Sequence, residues 1–323
     1  MSLLRKIGNL LGLTQEMRLN IARKWRAFTR WTPPYYRNVS EWGLNTEPRD
    51  VKITLSLTSY PGRIKSVHRV ITTLLNQTVK PDRVILWLGE EKFPRREEEL
   101  PRRLLDLKQF GLTIGWCHDQ RSYTKLLPAL REYPDDIIVT VDDDSFYPPC
   151  LLATLYSGYL EFPGFIHALA SMNIERGIDG ELLSYNKWKH CTKAGRTGYD
   201  ILLLGCGGVL YPPHVFNDEV GNENAFKRVA MTTDDLWFWA MAVYSGVKVR
   251  ALGQGVGIQV GDPCANMANA LWNTNVDEAD GNNKKMRAIL DAYPIVRERL
   301  YTELRSRGVV TEKLSGSGNS PLK

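Results

Sequence analysis

Four places in this 323-residue chain hold residues whose types and spacing could do chemistry. The first is the stretch 136–149, where a β-branched apolar run from Ile137 to Val141 leads directly into Asp142, Asp143 and Asp144. On an extended backbone successive side chains alternate faces, so Asp142 and Asp144 are expected on one face and Asp143 on the other. Two carboxylates converging on one spot repel each other unless a cation lies between them. An all-oxygen ligand set suits Mg²⁺ or Mn²⁺ rather than zinc. The second place is Asp234-Asp235, preceded by Thr232-Thr233 and followed by a strongly apolar run. Capping and dipole compensation at a helix start account for one acid and leave the second unexplained. The third is Lys125, at the expected start of a helix, where the dipole disfavours a cation unless a negative group meets it; Asp119 lies in the same loop. The fourth is Arg63, beyond a Pro-Gly turn, which could pair with a diphosphate, stack on a base, or simply lie on the surface.

The elements that must position these residues follow from hydrophobic periodicity. Val51 to Leu57 reads as a first strand, with Thr58 opening the turn to Arg63. Val67, Val70, Ile71, Leu74 and Leu75 then give an amphipathic helix. Arg83 to Leu88 and Leu112 to Cys117 read as strands separated by a helix over Leu104 to Phe110, and Leu126, Leu127 and Leu130 mark a helix before the Asp strand. Strand and helix alternate four times, which predicts an α/β fold with a mainly parallel sheet flanked by helices. In such sheets ligands bind at the carboxyl ends of the strands, where the three aspartates stand. Further on, Leu151 to Phe162 reads as a helix, and Ile166 to Ala170 and Lys248 to Leu252 as strands. Met286, Ile289, Leu290 and Tyr293 mark a late helix. The basic, aromatic stretch from Lys187 to Gly198 fits no pattern and has the composition of a functional loop. The glycines between Leu202 and Pro213 predict a bulge or tight bend, and their spacing is not that of a dinucleotide fingerprint.

An apolar strand ending in Asp-x-Asp, then an aromatic and Pro148-Pro149, resembles the metal and nucleotide-sugar site of GT-A fold glycosyltransferases, specifically family-2-like bacterial enzymes. The resemblance runs from roughly Val51 to Tyr293. It implies a Mn²⁺- or Mg²⁺-dependent enzyme that moves a sugar from a nucleotide-sugar donor, most often a UDP-sugar, to a saccharide or lipid-linked saccharide in cell-surface polysaccharide synthesis, with inversion. On the same resemblance Asp144 and Asp142 hold the metal. Thr58, Arg63, Asp119, Lys125, Asp142 and Asp143 contact the nucleotide-sugar, and Gly207 and Gly208 line the donor-sugar and acceptor cleft. Asp235 takes the acceptor proton beside its neighbour Asp234. The family commonly has Glu-Asp where this chain has Asp-Asp. Several such enzymes add a late histidine to the metal; no histidine follows His214, which leaves Asp262 as the nearest late acid.

Composition bounds the alternatives. With 43% hydrophobic residues the chain can build a substantial core, which excludes global disorder. Five cysteines without a Cys-x-x-Cys pair read as reduced thiols in a cytoplasmic protein. The basic charge sits at one end: residues 1–40 hold eight Lys and Arg against Glu16 alone, more than the whole chain's net +6. Leu3, Leu4, Ile7, Leu10 and Leu11, and then Met17, Ile21, Trp25 and Phe28, fall at helical spacing. A basic amphipathic segment of this kind suits either an anionic membrane surface, placing the protein peripherally on the inner face, or packing against the domain or a partner. No signal peptide or membrane span is expected, and no nucleic-acid partner. The predicted organisation is a basic extension over 1–45, a catalytic domain over 46–310 and a flexible tail over 311–323. Two rivals remain: a sugar-1-phosphate nucleotidyltransferase, and an inert carbohydrate-binding or scaffold subunit of a polysaccharide assembly complex.

Overall fold

The computed structural model describes residues 32–253, 259–260 and 281–307. The basic arm up to residue 31, Asp262 with most of its loop, and the 311–323 tail lie outside the described residues.

Strands β1 (Ile53–Thr58), β2 (Arg83–Gly89), β3 (Leu112–Cys117) and β4 (Ile137–Thr140) pair in parallel in the order β3-β2-β1-β4. The chain between them forms α1 (Val67–Leu75), the short α2 (Arg102–Leu105) and α3 (Leu127–Glu132). Strand β1 shows why these segments are apolar on both sides. Ile53, Leu55 and Leu57 enter one core cluster, while Thr54 and Ser56 on the opposite face are equally buried and spend their hydroxyls on Asp136 and on the Lys125 carbonyl. The five apolar residues of α1 singled out by periodicity are all fully buried. The helix expected over Leu104 to Phe110 is instead α2 followed by a 3₁₀ stretch, ended by Gly111 at φ 108°, a left-handed conformation that glycine adopts without a Cβ clash.

Beyond β4 come β5 (Ser145–Phe146), α4 (Leu151–Glu161), β6 (Ile166–Ala168), β7 (Ser171–Asn173), β8 (Lys189–His190), β9 (Thr197–Gly198), β10 (Ile201–Leu203) and β11 (Val209–Tyr211). They are followed by α5 (Glu223–Val229), α6 (Asp234–Tyr244), β12 (Val249–Ala251), β13 (Gln259–Val260), α7 (Gly281–Ala292) and α8 (Pro294–Ser306). The main sheet continues from β4 as β11-β6-β12-β9. Strand β11 runs antiparallel to both β4 and β6, and β12 is again parallel to β6. The reversal has a direct effect on the site. Because Val209 pairs with Thr140, the glycine turn that precedes β11 arrives at the carboxyl end of β4, beside the aspartates. The α/β expectation, a mainly parallel sheet flanked by helices, is what the chain adopts.

The proline-rich segment before β1 lies against the domain. Tyr35 donates to the Phe146 carbonyl at 3.0 Å, Tyr36 packs edge-on against the Phe146 ring, and the Gly43 N–H reaches the Phe110 carbonyl. The four described cysteines are free. No described helix is long and apolar enough to cross a membrane.

Candidate active site

Strand β4 stops at Thr140, and Asp143 and Asp144 fall in a turn. The strand alternation expected for the three aspartates is therefore not what orients them. Asp143 is buried and turns back to the loop after β1, where it accepts from Ser59 Oγ at 2.6 Å and from Arg63 Nη1 at 2.6 Å. Asp144 shares that guanidinium, with Oδ2 at 3.0 Å from Nη1. Arg63 is thus no loose surface cation; it neutralises one side of the turn.

Asp142 faces the other way, onto Lys125, whose Nζ is 2.8 Å from Asp142 Oδ1 and 2.9 Å from Asp234 Oδ2. The expected negative partner of Lys125 is therefore the protein's own carboxylates. Ser56 holds the Lys125 backbone by donating to its carbonyl at 2.5 Å. Two residues earlier, Tyr123 donates to the Ala230 carbonyl at 2.6 Å and stacks on Phe226, which brings this turn against the start of α6. Lys125 is buried. Burial alone would lower its pKa, but Asp142, Asp234 and Asp235 outweigh it and hold the ammonium well above its ordinary value.

The start of α6 supplies the second acidic pair. Thr233 makes no side-chain cap bond; its hydroxyl donates to Asn282 on α7 at 3.0 Å, so simple capping by the threonine does not explain this helix end. Asp234 is buried on Lys125, whereas Asp235 is half-buried and accepts from the Gly205 N–H at 3.0 Å. Burial first, and then the charge of Asp234, push the Asp235 carboxyl up to about 8.

Tyr147 joins the aspartate turn to the glycine turn. Its hydroxyl accepts from the Asp142 N–H at 2.8 Å and donates to the Cys206 carbonyl at 3.1 Å. Within the glycine turn the roles differ from the sequence reading. A Cβ at Gly207 would lie 2.3 Å from that of Ala170, and Gly208, at φ 87°, faces Leu151, so both have packing or backbone reasons to be glycine. Gly205 is the one that meets the charged groups: a Cβ there would sit 2.8 Å from Lys125 Nζ and 3.0 Å from Asp235 Oδ1. Sequence spacing did not single out Gly205 or Tyr147; their signal is a three-dimensional one, set by β11 reversing onto β4.

Thr58 and Asp119 bond to groups outside this cluster. Thr58 Oγ1 donates to the Trp87 carbonyl, and Asp119, at the carboxyl end of β3, pairs with Lys92 at 2.7 Å and accepts from the Arg121 N–H. Five carboxylates, Asp142, Asp143, Asp144, Asp234 and Asp235, thus gather around two cations, Lys125 and Arg63, leaving a formal excess of three negative charges. Asp144 feels the excess: burial, then the neighbouring Asp142, raise its carboxyl to about 6. Among the described residues no three His, Cys, Asp or Glu side chains form a ready metal cage. Asp142 and Asp144 do fit the alternative in which a hard divalent cation takes one or two carboxylates and completes its shell with substrate oxygens and water.

No family model and no curated protein matches the sequence. Among solved structures, the chain is similar to the mannosyltransferase PcManGT from Pyrobaculum calidifontis in complex with GDP-Man and Mn²⁺ (13% identity, TM-score 0.49, covering 87% of this chain and 76% of that one). It is also similar to S. aureus TarS 1-349 (10% identity, TM-score 0.43, 79% and 90%) and to the inositol-1-phosphate CTP transferase from T. maritima (12% identity, TM-score 0.40, 75% and 97%).

Proposed function

We propose that this chain is a divalent-metal-dependent glycosyltransferase of GT-A fold that uses a nucleotide-sugar, with UDP-sugars the first to test, and transfers the sugar with inversion to a saccharide or lipid-linked saccharide. The observation that carries the reading is the surplus of buried negative charge at the carboxyl end of β4, faced by a separate, half-buried acid with a raised pKa at the start of α6. Holding several carboxylates together out of water is costly and is characteristic of sites that bind a cation and move a proton. Asp142 and Asp144 would hold the metal, which when bound neutralises charge on the leaving diphosphate.

This chain's own residues do the rest. Arg63, fixed by Asp143, keeps Asp144 oriented, and Lys125 bridges Asp142 and Asp234, offsetting their mutual repulsion while supplying positive charge at the donor side. Asp235 acts in its ionised form, the majority only above about pH 8 in the metal-free protein, and takes the proton of the acceptor hydroxyl as the hydroxyl oxygen bonds to the anomeric carbon. The bond from that carbon to the diphosphate oxygen breaks, and the nucleoside diphosphate leaves with the electron pair. The Gly205 N–H aims Asp235 by bonding one carboxylate oxygen and leaves the other for the acceptor. In the nucleotidyltransferase reading the loop after β1 must offer its basic residue to a triphosphate, and Arg63 is instead engaged with Asp143 and Asp144. An inert scaffold has no use for such strained carboxylates.

The test is a panel of nucleotide-sugars assayed for nucleoside diphosphate release with Mn²⁺, with Mg²⁺ and with EDTA. Release with at least one donor, abolished by EDTA and by Asp144→Ala in a variant that melts normally, is expected. Pyrophosphate production from a sugar-1-phosphate and a nucleoside triphosphate, or full activity in EDTA, would overturn the proposal.

A further inference from the structure

The aspartate turn is gripped from a distant part of the chain. Just beyond Asp144, Phe146 lies in β5 with its side chain fully buried, and groups from the segment before β1 and from α1 converge on it. Tyr35 donates to its carbonyl at 3.0 Å, across 111 positions of sequence. Tyr36 meets its ring edge-on, with centroids 5.8 Å apart and planes at 77°. The guanidinium of the buried Arg69, on α1, lies 5.0 Å from the same ring centroid. Edge-on aromatic pairs and cations over a ring are both attractive, so Phe146 is held by its backbone and its side chain at once.

The local sequence presents the two tyrosines together. Pro33-Pro34-Tyr35-Tyr36 is a turn closed by the Tyr36 N–H on the Pro33 carbonyl at 2.9 Å, and Pro34, with its fixed φ, suits the second position of such a turn. Pro33 is buried, and the next carbonyl after the turn, that of Arg37, accepts from Asn76 Nδ2 at 2.8 Å where α1 ends. The tyrosines therefore project from a docked and pre-shaped piece of chain.

From Phe146 the grip passes to the aspartates through its neighbours. Tyr147 gives its N–H to Thr73 Oγ1 at 3.3 Å and accepts the Asp142 N–H on its hydroxyl. Ser145, directly after Asp144, is paired with Val260 of β13. Asp142 and Asp144 bear like charges, and their repulsion favours a splayed turn until a cation arrives. A contact that fixes the backbone just after Asp144 opposes that splaying, and a turn already in place binds without first having to be ordered.

We propose that Tyr35 and Tyr36, which precede the catalytic sheet, are positioning residues of the metal site: they clamp Phe146 and through it keep Asp142 and Asp144 together for a divalent cation. This inference rests on the metal-dependent reading above and adds how the site is held.

The test is Mn²⁺ binding by the full chain without donor, read from the free-ion signal in electron paramagnetic resonance, so turnover plays no part. Tyr35→Phe removes one hydroxyl and Tyr36→Ala one ring; each should raise the Mn²⁺ Kd about three- to tenfold. Leu44→Ala removes core packing of the same stretch of chain and does not touch Phe146, so it should lower the melting temperature and leave the Mn²⁺ Kd at the wild-type value. Asp144→Ala should abolish the binding, which locates the measured ion in this turn. If both tyrosine variants melt earlier yet bind Mn²⁺ as the wild type does, the segment only stabilises the fold and the proposal is overturned. A loss in Leu44→Ala as large as theirs would also overturn it, because affinity would then follow general loosening. Should the wild type bind no Mn²⁺, or Asp144→Ala bind it normally, the metal reading itself fails and this inference falls with it.

Discussion

Replacing Asp235 with asparagine should make the metal-free protein more stable while nearly abolishing transfer. The carboxyl stands at about 8 in the fold against an ordinary 3.8, so the folded state favours the neutral acid. No penalty exists below about pH 4. Between about pH 4 and pH 8 the unfolded chain ionises this group and the folded chain does not, and each pH unit removes about 1.4 kcal/mol of stability. Borne in full by Asp235 the loss by pH 8 is about 5–6 kcal/mol; the surrounding charges readjust as the group ionises, and about half of that is expected. The amide oxygen introduced by the substitution still accepts the Gly205 N–H, so little else is lost. Asp235→Asn should therefore melt about 5–10 °C above wild type at pH 8 and level with it at pH 4.5, while kcat for transfer falls about 10²–10⁴-fold. Asp234→Asn is the contrast, since it removes a buried partner of Lys125 and should lower the melting temperature. Melting curves across pH 4.5–8.5 in EDTA, paired with nucleotide-release rates, measure both halves. A variant no more stable than wild type at pH 8 would refute the electrostatic account, and one with wild-type turnover would refute the assignment of the base.

Metal affinity should be pH-dependent in a defined window. Asp144, raised to about 6, must lose its proton to bind, so Mn²⁺ affinity should fall about tenfold per pH unit below about pH 6 and level off above it; titration calorimetry showing no such slope would exclude Asp144 as a ligand. Lys125→Met removes the cation shared by Asp142 and Asp234 and should cost about 3–5 kcal/mol in urea unfolding at pH 7. A loss below about 1 kcal/mol would mean that the carboxylates find another counter-charge. Deleting residues 1–31 spares the Tyr35 and Tyr36 contacts and should leave transfer to a soluble acceptor intact. Sedimentation with anionic vesicles should weaken by about 1 kcal/mol per lost basic contact, and unchanged sedimentation would point to a packing role for the arm.

What the sequence made legible was local and periodic. The strand run from Ile137, the helix of Val67 to Leu75 and the acids opening α6 each follow from side-chain spacing within a few residues, and the fold keeps them. The relations among those pieces were not legible. That Asp143 turns away to Ser59 and Arg63 depends on where β4 ends, and a strand end decided by tertiary pairing leaves no mark in an apolar run. Lys125 was suspicious at a helix start, but its partners come from residues 17 and more than 100 positions away. Gly207 and Gly208 drew attention as a pair, yet Gly205 faces the charges, because the register of β11 against β4 sets which glycine reaches the site.

The antiparallel insertion of β11 has a further consequence, in the order of events during synthesis. Strand β4 can pair with β1 as soon as it emerges, because both lie in the first 140 residues, but its other edge waits for Val209 to Tyr211. With about 70 residues between the two, at roughly 5–20 residues per second, that edge stands open for roughly 4–14 s on each nascent chain. The exposed backbone belongs to Ile138, Val139 and Thr140, an apolar, β-branched template of the kind that recruits foreign strands. Folding yield should therefore respond to translation rate and chaperone supply more than the stability of the finished domain would suggest. The vulnerable moment ends when β11 closes over β4, the same pairing that brings the glycine turn to the aspartates.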